Sequence, residues 1–304
     1  MDSKAVTTDD VTAVPLGDRL EQPHDRGRPE DAPNRKPDDS LSPILQSGQT
    51  CWRIEPVERA AFLIDGEAYF QTFRDVALQA TRSIYIAGWD LDTQVELVRG
   101  PEAASPLPSK LGEFLAALLR RNRRLKIHVL NWDFAMIYAL EREWMPTAQA
   151  GWSGHRRLLY RVDGQHPLGA SHHQKLVVID ETVAFVGGLD LTKSRWDTSA
   201  HAASDARRVD ANGQTYPPFH DVQMMVAGEA AAALGDLFRT RWKIAMGRRP
   251  SAPARRPVTD LWPSTLRPDL EQCEVGLMRT QPSFAGHAEV REIEQAYVEG
   301  IKRA

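Results

Sequence analysis

Short apolar runs alternate with helix-period segments over much of residues 65–279, and this alternation is the strongest constraint on the fold. In the segment 67–82, apolar side chains recur every three or four residues, and the apolar run SIYIA follows at 83–87. Because each helix can cover one face of a sheet, strands that alternate with helices predict an α/β fold. We expect a mixed, mostly parallel sheet flanked by helices on both faces. The other expected strands are 125–130, 157–162, 173–180, 182–187, 221–226 and 274–279, and the other expected helices are 111–122 and 229–245.

The first 47 residues differ in composition from the rest of the chain. They contain six prolines, six basic residues and ten acidic residues, without a sustained apolar period. Such a segment cannot bury enough apolar surface to offset the entropy lost on ordering. We expect a disordered tail over 1–47, ordered structure from near Cys51, and a folded lobe over 48–285.

The body of the chain is close to neutral, with 32 basic and 31 acidic residues after residue 47. This balance argues against a dedicated nucleic-acid-binding protein, which usually has a large basic excess. The sequence has neither an apolar run of transmembrane length nor a secretory signal at its N-terminus. Cys51 and Cys273 are far apart and are expected to be unpaired thiols in a reducing compartment. We therefore expect a cytoplasmic protein.

The segment SHHQKLVVIDETVAFVGGLD, residues 171–190, contains the pattern H-x-K-x4-D at His173, Lys175 and Asp180. In a strand, the period of two places His173 and Lys175 on one face and His172 on the other. Two cationic side chains on one buried face are unfavourable unless an anion lies between them. A phosphate diester fits, because lysine can hold a nonbridging oxygen while a neutral imidazole offers a nucleophilic nitrogen. The lysine should also lower the histidine pKa and favour that neutral form.

Two glycines and an aspartate follow the pattern, at Gly187, Gly188 and Asp190. Glycines here would let backbone N–H groups approach a phosphate. A zinc site at His172 and His173 is disfavoured, because adjacent strand residues point to opposite faces and no other ligand cluster has metal spacing. We expect no metal and no cofactor, and we interpret His172 as a structural or pocket-wall residue.

The extended block HHQKLVVIDETVAFVGGLDLTKSRWDT resembles the first catalytic motif of the phospholipase D superfamily. Among its branches, the block is most similar to the eukaryotic-type phosphatidylcholine-cleaving enzymes, which have GG-x-D followed by GRWD. Ser194 replaces the glycine before RWD. Segments 65–92 and 219–242 also resemble that branch, so the resemblance covers about residues 51–304. It implies a phospholipase D-like lobe.

The resemblance implies a role for each residue that matches the superfamily motif. His173 would be the nucleophile that forms a phosphohistidine intermediate, and Lys175 would bind the phosphate. Asp180 would stabilise the site, and Asp221 would orient the nucleophilic histidine. The positions expected to bind the substrate phosphate are His173, Lys175, Gly188 and Asp190.

The implied activity is hydrolysis of phosphatidylcholine-like phospholipids to phosphatidic acid and a head-group alcohol, with transphosphatidylation to primary alcohols. The enzyme would act peripherally at a membrane surface, with a phospholipid as substrate and without nucleic acid as a partner. One alternative is a cardiolipin-synthase-like transferase or a phosphodiesterase acting on nucleic acid, although the near-neutral body disfavours a nuclease. Another is a non-catalytic phosphatidic-acid-binding module, against which the intact His173, Lys175 and Asp180 argue.

The H-x-K-x4-D pattern occurs once in the sequence, whereas the superfamily mechanism needs two copies. None of the other eight histidines has lysine at +2 and aspartate at +7. We expect a second lobe to complete the site, either in the same longer chain or in a homodimer. Tyr297, Ile301 and Ala304 repeat the apolar spacing of the first helix, so residues 286–304 are expected to be a helix that begins a missing second lobe.

Overall fold

The computed structural model describes residues 43–100, 106–133, 152, 155–253 and 260–303. The tail expected over 1–47 therefore lies outside the described residues, except for its last five. Of these five, Ile44 accepts a hydrogen bond of 2.6 Å at its carbonyl from the Thr50 hydroxyl, which closes a turn that leads into the first strand.

The described residues form ten strands and four helices. The strands are β1 (Arg53–Ile64), β2 (Ser83–Gly88), β3 (Lys126–Trp132), β4 (Leu158–Asp163), β5 (Lys175–Ile179), β6 (Val183–Gly187), β7 (Val222–Ala227), β8 (Leu270–Leu277), β9 (Thr280–Gln281) and β10 (Val290–Arg291). The helices are α1 (Asp65–Ala77), α2 (Leu111–Arg121), α3 (Glu229–Met246) and α4 (Glu292–Ile301).

Eight strands make one mixed sheet in the order β4-β3-β2-β5-β6-β7-β1-β8. The α/β class and the mixed sheet are confirmed, but the expectation that most pairs are parallel is corrected. Only β2–β3 and β3–β4 are parallel, and the other five neighbouring pairs are antiparallel. The reason is visible between β5 and β6, where Asp180 and Glu181 have φ of 53° and 55° and form a tight turn. A turn this short can join only antiparallel strands, because parallel strands need a long crossover.

Helices cover both faces of this sheet, as expected. On one face, α1 and α2 bury Phe73 and Phe114 against Val177 of β5. On the other face, Phe238 of α3 stacks on Tyr85 of β2, with ring centroids 4.8 Å apart. Strand β5 is buried throughout and alternates between these two layers, which fixes the direction of every side chain along it. None of the described helices is both long and apolar enough to cross a membrane.

The C-terminal helix forms where the sequence predicts one. Its first residue, Glu292, accepts two hydrogen bonds from the Arg279 guanidinium, from Nε to Oε2 (3.1 Å) and from Nη2 to Oε1 (2.6 Å). Tyr297 and Ile301 project from it and are 71% and 72% exposed. Ala304 lies outside the described residues. That this helix begins a second lobe stays a prediction.

Candidate active site

An ion pair is built at the N-terminal end of β5. The Lys175 ammonium lies 2.8 Å from Oδ2 of Asp190, and both side chains are buried. The other oxygen of Asp190 accepts a hydrogen bond of 3.0 Å from the Trp89 backbone N–H, just after β2. Asp190 is therefore fixed by two donors, and it fixes the position of the lysine in turn.

The Asp190 carboxylate is thus paired within the protein, and the expectation that Asp190 binds the substrate phosphate stays a prediction. A carboxylate repels a phosphate anion, and here it accepts hydrogen bonds from the chain itself. Burial raises the pKa of the Asp190 carboxyl, although the Lys175 ammonium opposes that shift. We interpret Asp190 as the residue that orients Lys175 toward the space beside His173.

The Gly188 backbone makes contacts within the protein. Its backbone N–H donates a hydrogen bond of 3.1 Å to the Val222 carbonyl, so this donor is used within the protein. A Cβ atom at this position would collide with both carboxylate oxygens of Asp221. The glycine is needed because Asp221 packs directly on the backbone. That Gly188 binds the substrate phosphate stays a prediction.

His173 lies two residues before β5, and its side chain is exposed. Partial desolvation and the Lys175 ammonium lower the pKa of His173 below its ordinary value of 6.5, while the Asp190 and Asp221 carboxylates oppose the shift. The structure therefore brings His173, Lys175, Asp190 and Asp221 into one electrostatic neighbourhood. That Asp221 orients the imidazole stays a prediction.

Asp180 lies at the opposite end of β5 from this group. A strand of five residues separates it from the cleft, about 16 Å at the usual rise of 3.3 Å per residue. Its fully buried carboxylate accepts four hydrogen bonds of 2.7–2.8 Å, from Thr81 N and Oγ1, Arg82 N and Ser83 N. Asp180 thus joins the β5–β6 turn to the start of β2, and its contribution to the site is to hold the strand that carries Lys175.

His172 belongs to a second polar group beside His173. Its Nε2 lies 3.3 Å from Oδ2 of Asp163, which also accepts a hydrogen bond of 3.0 Å from Arg241 Nε. Although burial alone would raise the pKa of Asp163, His172 and Arg241 hold it below its ordinary value. Arg241 also donates to the Gln174 side chain at 3.1 Å. The group fixes the segment on both sides of His173.

Two cavities meet at His173. The first, here called the polar cavity, has a volume of about 150 Å³, and its polar lining includes Asp163, His166, His172, His173, Arg241 and Arg279. The second, here called the apolar cavity, has a volume of about 540 Å³, and its lining includes His173, Lys175, Leu176, Met224, Leu234 and Val275. His173 lines both cavities, whereas Lys175 lines the apolar cavity alone.

A further cluster, which the sequence did not reveal, adjoins the site. Asp65 is fully buried at the start of α1, and its two oxygens lie 2.7 Å from His220 Nδ1 and 3.1 Å from His201 Nε2. Its Oδ1 also accepts a hydrogen bond of 3.2 Å from the Asp221 N–H. One ligand atom from each of Asp65, His201 and His220 lies within 4.8 Å of the others, a donor set typical of divalent transition-metal sites. Sequence spacing does not reveal this cluster, because the fold brings its members together, and the expectation of no bound metal stays a prediction.

The comparison with known families agrees with this geometry. The family model described as Phospholipase D matches residues 161–280, which include β5–β8 and the residues His173, Lys175, Asp190 and Asp221. Residues 161–280 therefore form a phospholipase D-family domain. The expected family and the α/β lobe are thereby confirmed, while the assignments of individual residues rest on the contacts described above.

Curated relatives of the superfamily are much longer than this chain. Phospholipase D C of Dictyostelium discoideum is 31% identical over 205 residues, which cover 59% of this chain and 12% of that protein. Phospholipase D1 of Saccharomyces cerevisiae is 26% identical over 291 residues, covering 80% of this chain and 17% of that protein. Among solved structures, the phospholipase D family member Nuc from Salmonella typhimurium overlaps with a TM-score of 0.38 at 12% identity, covering 60% of this chain and 95% of that one.

Proposed function

We propose that this chain supplies one half of the active site of a phospholipase D-type phosphodiesterase. Its substrates would be phosphatidylcholine-like phospholipids, hydrolysed at a membrane surface to phosphatidic acid and a head-group alcohol. The main observation that supports this proposal is the buried Lys175–Asp190 ion pair beside an exposed His173 whose pKa is lowered. This arrangement places a fixed cation next to a neutral imidazole, the combination that attack on a phosphodiester requires.

The proposed reaction has two steps. In the first, a ring nitrogen of His173 bonds to phosphorus, the bond from phosphorus to the head-group oxygen breaks, and that oxygen takes a proton from a general acid. In the second, water bonds to phosphorus, the phosphorus–nitrogen bond breaks, and the same group accepts the proton from water. A second H-x-K-x4-D lobe, in the same longer chain or in a homodimer, would supply this acid and base. Asp221 would orient His173.

The test is interception of the covalent intermediate. We expect the full-length protein to release choline from phosphatidylcholine vesicles and to form phosphatidylethanol when ethanol is added, because an alcohol can replace water in the second step. Single-stranded DNA and lysophosphatidylglycerol, assayed in parallel, distinguish a nuclease or a head-group transferase. Cleavage of DNA without choline release would contradict the proposal, as would choline release without phosphatidylethanol.

The pH dependence provides an independent prediction. Neutral His173 is the reactive form, so activity falls as pH drops through its lowered pKa. Replacing Lys175 with glutamine removes one cause of that lowering, so the pKa of His173 should rise and the acid limb of kcat/KM should move to higher pH. The ring-carbon NMR signal of His173 measures the same shift directly. Lys126→Gln, at an exposed position on β3, is the matched control and should leave both curves in place. A shift to lower pH in Lys175→Gln would be inconsistent with this electrostatic account.

A further inference from the structure

The long segment between β6 and β7, residues 188–221, is held to the lobe by side-chain contacts. All of it is described, and it contains no helix and no strand beyond one isolated bridge, between Val209 and Thr215. Its two histidines, His201 and His220, meet the Asp65 side chain at the start of α1. Three parts of the chain that are far apart in sequence therefore converge on one carboxylate.

The Asp65 carboxylate is fully buried, and its charge is poorly balanced. Among the described residues that pair with it, none is a lysine or an arginine, and histidine carries at most part of a charge near pH 7. Its Oδ2 has no aligned hydrogen-bond donor, although His201 Nε2 lies 3.1 Å away. A buried carboxylate is costly unless a cation or a full set of hydrogen bonds balances its charge. A metal ion at Oδ2 would supply the missing charge.

His201 lies between two carboxylates, as a metal-binding histidine usually does. Its Nε2 faces Asp65, and its Nδ1 lies 3.3 Å from Oδ2 of Asp197. Asp197 is itself fixed, because it accepts hydrogen bonds from the Phe219 N–H (2.9 Å) and from Arg208 (3.1 Å). Metal-bound histidines typically donate their other ring N–H to such a carboxylate. A proton on Nδ1 leaves a lone pair on Nε2, beside the lone pairs of Asp65 Oδ2, and this contact is repulsive unless a cation joins the two atoms.

We propose that Asp65, His201 and His220 bind one zinc ion, with water as the fourth ligand. One donor atom from each of the three residues lies within 4.8 Å of the others. Two ligands of a tetrahedral zinc ion are about 3.4 Å apart, because each bond is about 2.1 Å long, and the Oδ2–Nε2 distance of 3.1 Å is close to this value. The His220 side chain is 64% exposed, so its ring can turn toward the ion without disturbing the core. Two imidazoles and a carboxylate form a donor set that suits zinc.

The ion would fasten the long segment to the lobe beside the active site. Asp65 and Asp221 already exchange two hydrogen bonds, from the Asp65 N–H to the Asp221 carbonyl (2.9 Å) and from the Asp221 N–H to Asp65 Oδ1 (3.2 Å). Zinc would add a bond from the same carboxylate to His201, near the middle of the segment. Because only the folded chain brings these ligands together, zinc should stabilise the fold. The inference does not depend on the proposed function, and it opposes the expectation of no bound metal drawn from the sequence.

The test is titration of the full chain with Zn²⁺ by calorimetry, after metal has been removed with EDTA and the chelator dialysed away. We expect one tight equivalent, and Zn²⁺ at about 100 times Kd should raise Tm by about 5–10 °C. His220→Ala removes the most exposed ligand and should weaken Zn²⁺ binding about 100-fold or more, with loss of the rise in Tm. Asp65→Asn keeps the size of the buried side chain but removes its charge, and it should have the same effect.

The matched control is His155→Ala, which removes a histidine on the loop before β4, outside the cluster, and should bind Zn²⁺ like the parent protein. Melting in EDTA checks the fold of each variant, and if either cluster variant unfolds there, the other decides. Equal Zn²⁺ affinity in His220→Ala and the parent would overturn the inference, and so would a parent Tm that Zn²⁺ does not raise.

The zinc site and the proposed hydrolysis can fail separately. Tight Zn²⁺ binding that His220→Ala removes, in a protein that never releases choline, would support the zinc site and refute the hydrolysis. Choline release by a parent protein that binds no Zn²⁺ would support the hydrolysis and refute the zinc site.

Discussion

Replacing His173 with alanine is expected to lower kcat for choline release from phosphatidylcholine by about four to six orders of magnitude. The size follows from losing the nucleophile itself, since removal of a covalent nucleophile elsewhere costs about 10⁶-fold. Lys175 and its partner Asp190 remain in place in this variant, so substrate binding should fall far less than turnover. The effect should therefore appear in kcat, with a small change in KM.

The matched measurements separate nucleophilic attack from general damage. His155→Ala removes a histidine on the loop before β4, outside the site, and should keep parental activity. Protein incubated with phosphate-labelled lipid and denatured in detergent at alkaline pH, where the phosphorus–nitrogen bond of phosphohistidine survives, should retain label in the parent and lose it in His173→Ala. Activity retained by His173→Ala within tenfold of the parent would refute the role of this residue.

Replacing Asp180 with alanine is expected to destabilise the fold by about 3–5 kcal/mol. Four donors converge on its buried carboxylate, and removing their acceptor leaves them unsatisfied where water is excluded. For a domain of this size, each kcal/mol lowers Tm by about 2–4 °C, so Tm should fall by about 10 °C. Activity at a temperature where the variant is folded should fall much less than in His173→Ala.

Two controls define the origin of that loss. Asp180→Asn keeps the shape but offers one acceptor oxygen instead of two, and its free energy of unfolding should lie between those of the parent and Asp180→Ala. Glu113→Ala, an exposed position on α2, should change the free energy of unfolding by less than about 0.5 kcal/mol. A Tm for Asp180→Ala equal to that of Glu113→Ala would contradict the structural role of Asp180.

The α/β class could be predicted because the period of each segment is a local property of the sequence. The period of two predicts that His173 and Lys175 share a face, but β5 begins at Lys175, so strand geometry does not set the direction of His173 and that relation stays a prediction. The pairing direction of the strands could not be predicted in the same way. It depends on the turn at Asp180 and Glu181 and on where β1 joins the sheet, beside β7 and β8.

The contacts within the site could not be predicted for one physical reason, which is that distant segments of the chain decide what a polar side chain contacts. The sequence does not show that the fold places the Lys175 ammonium against the Asp190 carboxylate. Nor does it show that the Gly188 N–H donates a hydrogen bond to the Val222 carbonyl of β7. Asp65 is brought to two histidines on the long segment between β6 and β7, and the sequence carries no spacing signal for such a meeting.

The tight turn between β5 and β6 also bears on the order in which the active site assembles. Lys175 is the first residue of β5, Asp190 lies just after β6, and these two strands pair directly. Only a short loop of chain must therefore close to bring the two side chains together. A hairpin of this kind can form within about 1–10 μs, whereas the pairing of β1 with β7 and β8 joins segments from opposite ends of the lobe and should be slower. The Lys175–Asp190 ion pair can therefore form early in folding, before the sheet that encloses it is complete.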